Sequence, residues 1–417
     1  MHAVPDDTRV LKQPHSIEEL GLSFSLVLEL VLKHAYFEGT STLSRLAERT
    51  KLSPNIIHTV YRHLHKEQLC DTRAMIDNDY EISLNSRGRG LVEVALRKSH
   101  YAGPAPVPLT DYRRTVSSQA LKLDLTAGDL RKDLQDLVIS DETVKELGTA
   151  LVTGGAILLY GSTGNGKTSI AERLPRLFKD RIRIPYAVEV AGEIVTVYDP
   201  LLHRTNHRED QDDEAADPRW VSCDRPMVKV GGEMRVDMLD TRLDEVTRVC
   251  NAPLQMKANN GILLIDDFGR QGITPRQLLN RWIVPLDRRV DILSLWSGVS
   301  FEIPFEVLVV FATNLPLSDL AEDAFMRRLR NKIKVDGVNE ELFRVIVRRV
   351  CEQSGLACPP GMDDYMLREC LKRSGVLRAC FPRDLLEILR GTAAFEQRPP
   401  YFGQADLDQA LKVYFVH

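Results

Sequence analysis

The stretch from Ala156 to Leu174 reads AILLYGSTGNGKTSIAERL, and few patterns restrict a fold more. An apolar run of strand length meets a glycine-rich turn, and an amphipathic helical pattern follows Lys-Thr. Gly161, Ser162, Thr163, Gly164, Asn165, Gly166, Lys167 and Thr168 fit G-x-x-x-x-G-K-[ST] at every position. Glycines let the backbone curl until successive N–H groups converge on phosphate oxygens. The helix that follows aims its positive end at the same charge. In this pattern Lys167 reaches the β and γ phosphates, and Thr168 ligates Mg²⁺. A chance glycine turn would need neither the strand before it nor the helix after it. The stretch therefore predicts a strand–loop–helix unit that binds a nucleotide.

The rest of such a site should lie on neighbouring strands. AILLY, GILLID and EVLVVFATN are continuous apolar runs, as expected of parallel strands covered on both faces. GILLIDDFGR ends in two carboxylates. Asp266 is the expected Mg²⁺ ligand, and Asp267 stands where a carboxylate orients or deprotonates an attacking water. VVFATNLP ends in Thr313 and Asn314, where an amide can touch the γ phosphate or the water. Arg327, Arg328 and Arg330 follow in DAFMRRLRNKI, and CFPRDLLEIL puts Arg383 at the start of a helix. Taken singly, such arginines would read as solvated surface charges.

The order of these motifs resembles the AAA+ ATPases, from about residue 137 to the end. Residues 161–168 match Walker A, Asp266 and Asp267 match Walker B, Asn314 matches sensor 1 and Arg383 matches sensor 2. Arg327 and Arg328 fall where that family carries arginine fingers for the neighbouring subunit. VDILSLWSGVSFEIPF, with Ser297-Gly298 at its turn, is similar to the pre-sensor-1 hairpin of MoxR-like members. The resemblance implies an α/β fold, with a parallel sheet and a C-terminal helical lid. It further implies ATP and Mg²⁺ as cofactors, hydrolysis to ADP and phosphate, and a homo-oligomeric ring, expected as a hexamer. One departure is Asp267, where many members carry Glu. Its carboxylate is one methylene shorter, which bears on the water's position and the rate.

Upstream of this region, residues 17–101 carry a helical pattern over 24–35. STLSRLAERTKLSPNIIHTVYRHLHKEQL then reads as helix, turn, helix, with Ser53 as N-cap and Pro54 at the first helical position. A hairpin turning at Asp77-Asn78 follows. This small α+β unit resembles a winged helix-turn-helix domain, and YEISLNSRGRG is similar to its closing strand and turn. The second helix, residues 54–66, offers Asn55, His58, Thr59, Arg62 and Lys66 to DNA, along with His63. Yet the unit's eleven Lys and Arg are matched by eleven Asp and Glu, whereas DNA-binding modules lean basic. Winged helices also dock proteins, so both partners stand.

At roughly 150 residues per domain, 417 residues make two or three domains. We expect a loose tail at 1–16, the winged-helix unit at 17–101 and a proline-rich linker with a helix at 102–136. The α/β domain should span 137–337 and the lid 338–417, with lid helices near 340–354, 362–374, 382–396 and 404–415. The acidic NHREDQDDEAADP reads as a mobile insertion. Met227 to Leu239 reads as strand, turn, helix. Gly231 to Met234 is then either a pore loop, without the aromatic of many polypeptide-pulling motors, or a plain connection.

A net charge of −4 gives no general pull toward nucleic acid or membrane. The N-terminus has no basic-then-apolar leader, and no run is long enough to span a bilayer. Seven cysteines without a C-x-x-C spacing argue against a zinc or redox site and fit the cytoplasm. His203 and His207 are four apart, but their flanks read as a polar loop rather than a metal-binding helix. Three functions follow. The first is an ATP-driven ring that remodels or assembles an unidentified protein partner recruited by the winged helix. The second is a DNA-bound regulator or loader switched by ATP. The third is a nucleotide-gated scaffold with little turnover.

Overall fold

The computed structural model describes residues 11–205, 216–320 and 327–415. Its centre is a five-stranded, all-parallel sheet. We label the strands β1 (Ile157–Tyr160), β2 (Met227–Val230), β3 (Ile262–Ile265), β4 (Leu308–Thr313) and β5 (Asn331–Lys334). They lie in the order β2-β3-β4-β1-β5. The strand that feeds the glycine loop is therefore flanked by β4 and β5, and the strand that ends in two aspartates lies beyond β4. The three apolar runs make central strands because both their faces are buried, against Trp282 and Phe268 on one side and Leu147 and Ile170 on the other. Helices Glu340–Ser354, Met362–Ser374, Phe381–Phe395 and Gln404–Tyr414 bury a separate apolar core. The fold is thus a P-loop α/β sheet with a C-terminal helical lid, preceded by a small α+β unit.

After a single turn at Ile17–Leu20, that unit's first long helix is Phe24–Glu38, capped by the Ser23 hydroxyl, which accepts from the Leu26 N–H. Strand Thr40–Thr42 pairs with Asp79–Leu84, which also pairs with Cys70–Ile76. Asp77 and Asn78 both take positive φ, as a tight hairpin turn requires. Helices Leu43–Thr50 and Pro54–Lys66 pack beneath. Ser53 stands at the expected N-cap, but its side chain caps nothing and its buried Oγ has no partner. The segment expected to close the unit as a turn is instead helix Ser86–Lys98. The Asn85 side-chain oxygen Oδ1 starts it by accepting from the N–H groups of Arg87 and Gly88.

The segment expected as a linker is packed. Val107–Pro108 is an edge strand pairing in parallel with Ala187–Val190, and Val107 is fully buried. These belong to a second five-stranded sheet, completed by Glu193–Thr196, Cys250–Asn251 and Arg242–Leu243. The α+β unit rests on this sheet. Its core reaches Ala187 and packs against Ile194 and Val249, and the His100 N–H donates to the Thr247 carbonyl at 2.8 Å.

The expected tail and insertion fall partly outside the described residues, at 1–10 and 206–215. Their described ends are pinned together. Lys12 bridges Ala216, the Asp217 N–H donates to the Leu11 carbonyl, and Asp217 forms a buried ion pair with Arg219. Residues 11–16 and 216–218 are therefore ordered structure, not the loose tail and mobile insertion expected. In the Gly231–Met234 turn the apolar member is core, since Met234 is fully buried beside Phe268 and Ile273. The hairpin around Gly298 forms as strands Val290–Ser294 and Ser300–Pro304, and Trp296 at its tip is exposed. No helix among the described residues is long and apolar enough to cross a membrane.

Candidate functional site

The glycine loop joins β1 to helix Lys167–Ala171. Gly161 and Gly164 have φ of +139° and +84°, and neighbours close in on both. A side chain on Gly161 would meet the Val335 carbonyl oxygen, and one on Gly164 would meet the Cys380 sulfur. Lys167 is buried and folds back over the loop, donating to the carbonyls of Gly161 at 2.8 Å and Ser162 at 2.9 Å. Burial holds its pKa below that of an ordinary lysine, and the charges of Asp267 and Asp266 oppose the shift. The ammonium is therefore poised where an anion would stabilise it.

Asp266 ties β3 to the loop. Its Oδ1 accepts from the Thr168 hydroxyl at 2.8 Å, across 98 positions of sequence. Its Oδ2 meets Lys229 Nζ at 3.2 Å, and Lys229 also pairs with Glu172 at 2.8 Å. A hydroxyl and a carboxylate side by side are the hard oxygen donors that Mg²⁺ takes, the remaining positions being left to water and phosphate. The Lys229 ammonium on the same carboxylate marks the point as one that attracts cations. No cluster of three or more His, Cys, Asp or Glu side chains suited to a metal occurs among the described residues.

Asp267 is exposed at the strand end with φ +49°, and its N–H donates to Asp266 Oδ1. The turn is braced by Gln271, whose amide donates to the carbonyls of Asp266 and Asp267 and whose Oε1 accepts from the Gly269 N–H. Asn314, at the end of β4, donates to the Thr163 hydroxyl at 3.4 Å. Thr313 beside it is a brace, fully buried and bonded to the Phe268 carbonyl. The amide oxygens of Asn165 and Asn314 are both buried without a partner. Amide oxygen and nitrogen exchange places on a half turn of the side chain, so each residue can present a donor to an anion.

The lid closes one side of the loop. The Cys380 N–H donates to the Gly164 carbonyl at 2.9 Å, just before helix Phe381–Phe395. Arg383 is exposed in the first turn of that helix. Arg327 is exposed, and Arg328 pairs with Asp287 at 2.8 Å. The structure thus brings together residues 161–168, Asp266, Asp267 and Asn314, while Arg327 is exposed and Arg328 is engaged with Asp287. The sequence reading missed Lys229, Gln271, Arg378 and Cys380. Lys229 gave no signal, since a lone lysine in a strand reads as solvated. Cys380 and Arg378 stood close before the Pro-Arg pair, which was a usable signal.

His203 is a core residue. Its Nδ1 accepts from the Asp199 N–H and its Nε2 faces the Lys257 carbonyl at 2.9 Å. His207 lies outside the described residues.

Residues 339–413, the lid, match a family described as a domain of unknown function, DUF8689. No curated protein matches the chain. Among solved structures, NtrX from Brucella abortus is similar at 14% identity over 78% of this chain, with a TM-score of 0.39. The chain spans 61% of the length of that structure. RuvB from Thermotoga maritima, a Holliday junction branch migration motor, is similar at 17% identity, with 68% of this chain and 73% of that one covered and a TM-score of 0.38. These likenesses are loose, and the sheet order and loop geometry stand without them.

Proposed function

We propose that the chain is an AAA+ ATPase of the MoxR-like, pre-sensor-1 hairpin type. It hydrolyses ATP in a homo-oligomeric ring and remodels a macromolecular partner recruited through an N-terminal winged helix. The observation that carries this reading is the 2.8 Å bond between Thr168 and Asp266. It joins the glycine loop to the carboxylate strand, with Asn314 on the strand between them. Lys167 and the loop N–H groups would hold the phosphates, and Thr168 and Asp266 would hold Mg²⁺, which would supply neutralisation of the phosphate charge. Asp267 orients or deprotonates the attacking water, Asn314 positions it, and Arg383 approaches the phosphates from the lid.

Lys167→Ala tests the reading directly. Removing the buried ammonium should weaken ATP binding by ~2–4 kcal/mol, measured by calorimetry. Wild-type affinity in that variant would sink the assignment.

The helix Pro54–Lys66 supports a second reading, a DNA-bound regulator or loader. Asn55, His58, Arg62 and Lys66 are exposed on it, while the Thr59 hydroxyl accepts from Arg62. Against this, Glu18 lines the same hollow as Asn55, His58 and Arg62, and a carboxylate there opposes phosphate. On the DNA reading, Arg62→Ala and Lys66→Ala should each lower the salt dependence of duplex binding by ~1 in log–log slope. A full chain with no duplex affinity at low salt leaves the protein-docking role. The third reading, a scaffold with little turnover, rests on Asp267 in place of Glu, and steady-state ATP turnover decides it.

A further inference from the structure

We infer that Arg378 is a lid residue that binds the phosphates of the nucleotide directly, a cation distinct from Arg383. This rests on the nucleotide-binding reading above. Three observations converge on the residue. Its Nε is buried and has no hydrogen-bond partner. Its Cδ, one bond from that nitrogen, lies 3.7 Å from where a side chain on Gly164 would begin. The backbone there is clamped to the loop, because the Cys380 N–H donates to the Gly164 carbonyl at 2.9 Å.

A guanidinium is always charged and carries five donors. Leaving one of its N–H groups buried and unpaired is unfavourable, and native structures rarely tolerate it without a reason. Here the reason is at hand. Arg378 stands beside a loop whose glycine conformations, helix N-terminus and buried lysine all suit an anion. The ring of Phe381, 5.8 Å from the guanidinium carbon, holds the group in a fixed orientation. Arg383, by contrast, is exposed in the first turn of the lid helix Phe381–Phe395. Gly164 is required partly because its neighbour in the lid comes this close. Nucleotide and lid thus share one contact point, and occupancy of the loop should be felt by the helical lid.

The test uses the full chain with Arg378→Met, which keeps a long apolar stem against Phe381 and removes the charge. Melting temperature without nucleotide and ATP affinity by calorimetry are the two readouts. The expected result is an ATP affinity roughly tenfold or more weaker, with a nucleotide-free melting temperature unchanged or raised. A variant that binds ATP as tightly as wild type overturns the inference, as does one whose only change is a lower melting temperature. Should Arg378→Met fail to fold, Arg378→Lys serves. A point charge cannot reproduce the planar fork, so its ATP affinity should also drop, and wild-type affinity there overturns the inference. If wild type itself binds no ATP, or Lys167→Ala binds it normally, the nucleotide reading falls and this inference with it. If those two controls behave and only the Arg378 variants are normal, this inference alone falls.

Discussion

Alanine at both Arg327 and Arg328 should lower ATP turnover by about 10³–10⁵-fold while leaving ATP binding intact. On the AAA+ reading these arginines act on the nucleotide of the next subunit, where a guanidinium stabilises charge that develops on the transferred phosphoryl group. The two are not equivalent here. Arg328 is engaged with Asp287 at the surface, both partners being partly exposed, so that pair contributes little stability and can be given up. Arg327 is exposed and has no ion pair among the described residues. We therefore expect Arg327→Ala to account for the larger share. A subunit without its fingers still binds ATP in its own loop, and a subunit with Lys167→Ala still donates its arginines. Mixing the two should build some intact composite sites, so turnover should rise above that of either variant alone and climb with protein concentration. Full turnover in the arginine variants would refute the assignment. So would a mixture that restores nothing although mixed oligomers form.

Asp267→Asn should reduce turnover by about 10²–10⁴-fold, the usual scale for a lost general base, and should leave ATP bound as a trap. The substitution is favourable for a clean test. Asp267 has φ +49°, a left-handed conformation that Asp and Asn tolerate better than other side chains. The variant should therefore fold with an unchanged melting temperature. The same backbone suggests why Asp stands where relatives by motif carry Glu. The shorter side chain suits this turn, which Gln271 braces from both sides. Normal hydrolysis by Asp267→Asn would make the residue structural and favour another base or the scaffold reading.

Much of the sheet and the site could be read along the chain, because those parts are local. The glycine loop is eight consecutive residues, and its conformation follows from glycines and hydroxyls at fixed offsets. Strands β1, β3 and β4 announce themselves as continuous apolar runs, since a strand covered on both faces has no polar side to alternate. Lid helices such as Met362–Ser374 and Gln404–Tyr414 carry apolar residues at helical spacing and were legible for the same reason. The helix after Asn85 was misread because Ser, Arg and Gly in succession look like a turn. Its start depends on the Asn85 side chain folding back onto two N–H groups.

What the chain determined by itself is therefore the chemistry within each short segment: a phosphate loop, a pair of carboxylates, an amide at a strand end. What only the tertiary structure decided is which distant segments meet. Thr168 finds Asp266, Lys229 finds Asp266 and Glu172, and the proline-rich stretch at Val107 becomes an edge strand beside Val188. Arg378 acquires its place against Gly164 only when the lid folds back over the glycine loop. Local periodicity records whether a side chain is buried, but not against what. The partner is chosen by how whole elements pack, and those contacts span many tens to more than two hundred positions of sequence that no short window contains.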